Sequence, residues 1–154
     1  MDKVVAAVLL ILIAGTVWAG YVLLKPYVLP KPAGTTRIMF GGVVLTVEIA
    51  ATPADQQKGL SDRDSMASDH GMLFVFNSEA MWGFWMKGMR FSLDIIWFDT
   101  QKHTVFIEQN LPPCAPQSCP IYTPPVNAMF VLEVNAGFVK AHNIAIGDSF
   151  SYLD

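Results

Sequence analysis

The chain has 154 residues, a formal net charge of −3, 53% hydrophobic residues and only 15% charged ones, which allows one ordinary domain plus an appendage. Lys3, Lys25 and Lys31 against Asp2 leave residues 1–35 at +2 and the remainder at −5. No Lys or Arg cluster of the kind that phosphate binding requires is present, which argues against nucleic acid as a partner.

The apolar excess is local. From Val4 to Leu24 no charged residue occurs, and at about 1.5 Å per residue the run spans about 31 Å, matching a hydrocarbon core of about 30 Å. Trp18 and Tyr21 stand near one end, where amphipathic rings favour the headgroup level. A cleaved signal peptide would have a shorter apolar region ending in a small-residue site, and here hydrophobicity continues past Val17-Trp18-Ala19. Residues 1–25 are therefore expected to be a transmembrane anchor whose partner is the lipid bilayer, contacted through residues 4–24. Orientation is contested by two signals. Lys25, Lys31 and Arg37 outnumber Lys3, which alone would place the following domain inside. The very short leading tail and the cysteine pattern favour the extracytoplasmic side of the cytoplasmic membrane, and that is the expected location.

Residues 26–35 contain Pro26, Pro30 and Pro32 and read as a short, semi-extended linker. The domain, 36–154, opens with strands expected over 37–40 and 43–49 around Gly41-Gly42, a hairpin signal because a type I′ turn needs positive φ at both central positions. Thr52-Pro53-Ala54-Asp55 reads as a helix start, with Thr as N-cap and Pro in the first turn, and Gly59 as its end. A polar loop over 61–70 follows. Further strands are expected over 71–76, 82–87, 93–98, 104–109, 128–135 and 149–153, with a hairpin loop at 99–102 and a helical turn within 137–143. The segment 93–98 is apolar on both faces apart from Asp94, as in a central strand covered on each side. Many short strands and one short helix predict a mainly β fold, a compact barrel or sandwich.

Cys114 and Cys119 are separated by four residues and surrounded by prolines. This suits a local disulfide staple better than zinc, which lacks a second ligand pair here, or a redox pair, which would be separated by two residues. A nucleophilic pairing of Cys114 with His103 or His142 is disfavoured by the same prolines.

Several segments in order resemble one known family. Gly59-Leu60, Gly71–Phe76, Phe84-Trp85-Met86-Lys87, Leu93–Phe98, Val131–Gly137 and Gly147-Asp148 are similar to the uncharacterised domain of unknown function 192, over roughly Thr36 to Tyr152. The resemblance implies a small, mainly β fold of bacteria and archaea, often behind a signal or anchor sequence, and no established activity. Gly88-Met89 stand where the family commonly has Asn-Thr, and the cysteine pair looks like an addition found in part of the family.

Candidate site residues are charges and aromatics set among apolar strand positions: Arg63, Trp85, Lys87, Asp94 and Glu133, bordering a ligand-binding cleft. A partly buried Lys87 acting with Asp94 or Glu133 would suit a small hydrolase or transferase. The same pattern arises when Lys87 and a carboxylate, Glu48 included, form a structural ion pair. His70, like Arg63, lies in the loop before the Gly71 strand, where binding residues tend to be placed. Met66, Met72, Met81, Met86 and Met89 lie near Trp82, Trp85 and His70; soft thioethers suit Cu(I), although no Met-x-x-Met repeat with a flanking His occurs, and core packing explains them as well. No cofactor or metal is implied. The function expected is a binding or accessory module of unknown small-molecule, glycan or protein ligand, with the enzyme and copper-handling readings as alternatives.

Overall fold

In the computed structural model the described residues are 34–115 and 117–153. The expected anchor and most of the linker lie outside them. Among the described residues no helix is long and apolar enough to cross a membrane.

Among the described residues, nine strands and two short helices follow in chain order. β1 (Thr35–Phe40) and β2 (Val43–Ala50) form the expected hairpin, with Gly41 at φ 59° and Gly42 at φ 77°. Residues 51–69 then cross over, carrying α1 (Pro53–Lys58), to β3 (His70–Ala80), which pairs parallel with β2. A parallel pair cannot be joined by a tight turn, so a crossover of this length is obligatory. Thr52 caps α1 by accepting from the Asp55 amide, and Pro53 opens the helix, as the sequence predicts. β4 (Phe84–Trp85), β5 (Leu93–Phe98), β6 (Thr104–Leu111), β7 (Ile121–Tyr122), β8 (Ala128–Asn135), α2 (Phe138–Ala141) and β9 (Ser151–Tyr152) complete the order.

Seven strands make one sheet in the order β6-β5-β8-β3-β2-β1-β9, and β4 with β7 makes a separate two-stranded ribbon. The fold is mainly β as expected, but neither a sandwich nor a closed barrel. The sheet is open, and no second large sheet covers it. Instead, one face packs Ile38, Leu45, Val47, Leu73, Ile96 and Leu132 against Phe138 and Val139 of α2, Ile144 and Phe150. The other packs Met72, Phe74, Ile95, Trp97 and Val131 against the crossover, through Leu60, and against the ribbon, through Phe84 and Met86. β5, second from the edge of the sheet between β6 and β8, is buried at every position, which is why its sequence is apolar on both sides. The expected strand over 82–87 shrinks to two residues, and that over 149–153 likewise, while β7 escapes sequence patterning altogether because two residues show no period.

Candidate functional site

The crossover and the ribbon leave a pocket of about 290 Å³ over the second face of the sheet. Its walls are aromatic. Phe74 and Phe76 rise from β3, Phe84 and Trp85 from β4, with Trp82 just before it and Met89 just after. Trp82 stacks on Phe76 at 4.0 Å between ring centroids, and Phe84 meets Phe74 edge-on at 4.8 Å. The rim is polar, formed by Gln56, Gln57 and Lys58 of α1 and by Ser61. Two side-chain bonds hold the rim in place. Gln56 Nε2 donates to the Val75 carbonyl at 3.0 Å, and Ser61 Oγ donates to the Lys87 carbonyl at 3.1 Å.

Glu133 of β8 lines this pocket. The residue is 5% exposed, and its buried Oε2 accepts a hydrogen bond from no described residue. The hydroxyls of Thr36 and Thr104 are also buried without partners, but of the three groups only Glu133 borders the aromatic pocket. Burial pushes its carboxyl up to about 8, the nearby charge of Arg63 opposing the rise. Gly59 lies directly over it: a side-chain carbon there would stand 3.9 Å from Glu133 Oε2, and its φ of 49° suits a residue without one.

Arg63 grips Glu48 of β2 through both guanidinium nitrogens, at 2.5 and 2.8 Å. This bidentate bond holds the Glu48 carboxyl below its usual range. Both line a second, more open groove of about 520 Å³ with His70, Asp55 and Met72, and it shares Lys58 and Gly59 with the aromatic pocket. His70 itself pairs with Asp69 at 2.7 Å.

Of the five residues expected to border one cleft, the structure brings together Trp85 and Glu133, with Arg63 in the adjoining groove. Asp94 is a correction. On β8, Glu133 stands opposite Ile95 and Val134 opposite Asp94, so Asp94 and Glu133 point to opposite faces of the sheet. Asp94 is fully buried and accepts from the Asn110 amide at 2.8 Å and the Val139 amide at 2.9 Å. It joins β6 and α2 to β5, a structural task. Lys87 is exposed and forms no ion pair among the described residues, so the expected Lys87–Asp94 pair is not formed.

Met66, Met72, Met86 and Met89 belong to the core cluster under the crossover and ribbon, while Met81 is exposed. Among the described residues no three His, Cys, Asp or Glu side chains are grouped to hold a metal. Cys114 and Cys119 form a disulfide, with Cα atoms 5.0 Å apart, in the loop between β6 and β7. Of the pocket walls, Phe74, Phe76 and Phe84 were not among the site residues expected from sequence, and Trp82 stood out only as part of the methionine-rich patch around it. Their only signal was the density of aromatics between 74 and 85, which core packing explains equally well.

An open β sheet with an aromatic pocket under its crossover, bordered by the carboxyl of Glu133, defines a small, mainly β domain. By sequence the chain belongs to the DUF192 family, described as an uncharacterized ACR, whose model matches residues 36–152. No curated protein matches it. Among solved structures, a Sinorhizobium meliloti 1021 protein provisionally assigned as a transcription regulator is similar at 30% identity and a TM-score of 0.70, covering 80% of this chain and 96% of that one. A protein of unknown function from Novosphingobium aromaticivorans DSM 12444 is similar at 25% identity and a TM-score of 0.66, covering 80% of this chain and 91% of that one.

Proposed function

We propose that the domain is a membrane-tethered binding module, held on the extracytoplasmic side by residues 4–24 and taking a small ligand in the pocket over Glu133. The observation that carries the binding reading is the buried carboxyl without a donor at the edge of an aromatic cavity. A buried polar group without a partner costs about 1–3 kcal/mol, and a ligand that supplies the partner recovers it. Catalysis by Lys87 with Asp94 lacks that support, because one is exposed and the other is committed to two backbone amides. A role in transcription, the assignment attached to the Sinorhizobium protein, is poorly matched by a domain of net charge −5. The tether rests on the length and apolarity of the N-terminal run, and the outward side is supported by the disulfide, since such bonds persist in oxidising compartments.

The test is a fragment screen by saturation-transfer NMR on the full-length chain in lipid nanodiscs. It would run beside Gln57→Trp, which places a bulky ring at an exposed rim position of α1. Small aromatic fragments are expected to bind the native chain and to be displaced in the variant. A screen with no hit sensitive to Gln57→Trp overturns the pocket.

A further inference from the structure

We infer that the pocket takes an organic ammonium ion carrying at least one N–H, with Glu133 as its counter-charge; this rests on the binding reading above and names its ligand class. Two independent features of the pocket converge on that chemistry. The first is a carboxyl without a partner: Glu133 Oε2 is buried and bonds to no described residue, and once ionised the group can only accept. The second is the wall. Trp82, Trp85, Phe74, Phe76 and Phe84 present rings around the cavity, and aromatic faces attract a cation held within about 6 Å of the ring centre. An anionic ligand would meet a carboxyl and ring quadrupoles of the wrong sign. A purely apolar ligand would leave Oε2 as it is, unpaired.

The charges around Glu133 permit this. From the crossover, Arg63 faces it, but that guanidinium is spent on Glu48 of β2 in a bidentate pair. Lys58 of α1 stands on the rim and is exposed, where water and salt screen it. At the start of β3, His70 is engaged with Asp69. The partners of Glu133 across β8, Met72 on β3 and Ile95 on β5, carry no charge. Among the described residues that line the pocket, Glu133 is the one acidic group, and it forms no ion pair with a described basic side chain.

Binding by this route exchanges a proton for a cation. The free pocket holds Glu133 in its acid form at neutral pH, since burial raises its carboxyl to about 8. An ammonium ion entering the pocket pairs with the carboxylate, and the carboxyl proton leaves to solvent. Affinity for a ligand that stays cationic therefore falls roughly tenfold for each pH unit below that value.

The experiment uses benzylammonium and its neutral isostere benzyl alcohol with the full-length chain in nanodiscs, read by tryptophan fluorescence and by calorimetry in buffers of different ionisation enthalpy. Benzylammonium is expected to bind at least about tenfold more tightly than benzyl alcohol at pH 8 and to release close to one proton per ligand at pH 7. Glu133→Gln is expected to abolish the preference while leaving benzyl alcohol binding in place, which also shows that the variant is folded. Equal affinity for the two probes, a preference that survives Glu133→Gln, or no binding of either overturns the ammonium reading. The pocket itself falls only if the fragment screen also yields no hit sensitive to Gln57→Trp.

Discussion

Glu133 has a consequence for stability that does not depend on any ligand. Its carboxyl is raised from an ordinary 4.5 to about 8 by burial, so between those values the folded chain keeps a proton that the unfolded chain has released. The favourable contribution is complete below about pH 4.5 and is lost as pH rises through about 8, a swing of roughly 3–5 kcal/mol. Glu48 has the opposite sign. Its carboxyl is held low, chiefly by the hydrogen bond from Arg63, so its contribution is present above the ordinary carboxylate value and disappears in acid. With side chains 34% and 41% exposed, the Arg63–Glu48 pair is screened and is worth under about 1 kcal/mol. The two windows are separate, and Glu133 dominates the neutral one. Urea unfolding between pH 5 and 8 should show wild-type stability falling with pH, and Glu133→Gln should remove most of that slope. Parallel slopes for the two proteins would mean that the carboxyl titrates normally and is not buried as described.

At the scale of elements, Asp94 does for α2 what no neighbouring residue does. Gly137 precedes the helix with φ 89° and offers no capping side chain, so the Val139 amide turns to a carboxylate on β5. The other oxygen takes the Asn110 amide at a break in the β5–β6 register, where Asn110 itself has φ 55°. Asp94→Ala leaves two amides in the interior without acceptors and should cost roughly 3–5 kcal/mol. Asp94→Asn, which keeps one acceptor, should cost less. Chemical denaturation ranks the two, and hydrogen exchange should accelerate first at the Asn110 and Val139 amides; unchanged protection there would show that Asp94 does not hold them. The sequence marked Asp94 and Glu133 alike as charges in apolar strands, but could not separate them. Which face each occupies depends on the register of β5 against β8, a long-range property, and one step of register reverses it. Local rules served well where the physics is local: Gly41-Gly42 made its hairpin and Thr52-Pro53 its helix start. They failed for the ribbon of β4 and β7, held together by Phe84–Tyr122 and Trp85–Ile121 pairing across more than thirty residues of chain. The open sheet was missed for a related reason. Two buried faces read as barrel or sandwich, whereas here loops, ribbon and short helices supply the second cover.

For the whole molecule, the disulfide links the pocket to the compartment in which the domain is proposed to lie. Cys114 packs against the same core as Met86 and Phe84 and donates its amide to the Met86 carbonyl at 3.5 Å, so the stapled loop abuts the ribbon that forms one pocket wall. Closing a loop of this size stabilises the fold by about 2 kcal/mol on a chain-entropy estimate. Reduction should lower the unfolding midpoint by a corresponding amount and weaken fragment binding, since the wall bearing Phe84 and Trp85 loses its brace. In a reducing cytosol that brace would be absent for most of the protein's life. A membrane-impermeant maleimide applied to intact cells expressing the full-length chain distinguishes the alternatives. Labelling of Cys114 and Cys119 only after reduction places the domain outside with its staple closed. Labelling without reduction places it outside but with free thiols, and would remove the disulfide from the account of the pocket. Protection from the reagent until the cells are lysed, followed by labelling without reductant, would mean that the excess of Lys25, Lys31 and Arg37 over Lys3 governs insertion and that the pocket faces cytosolic ligands.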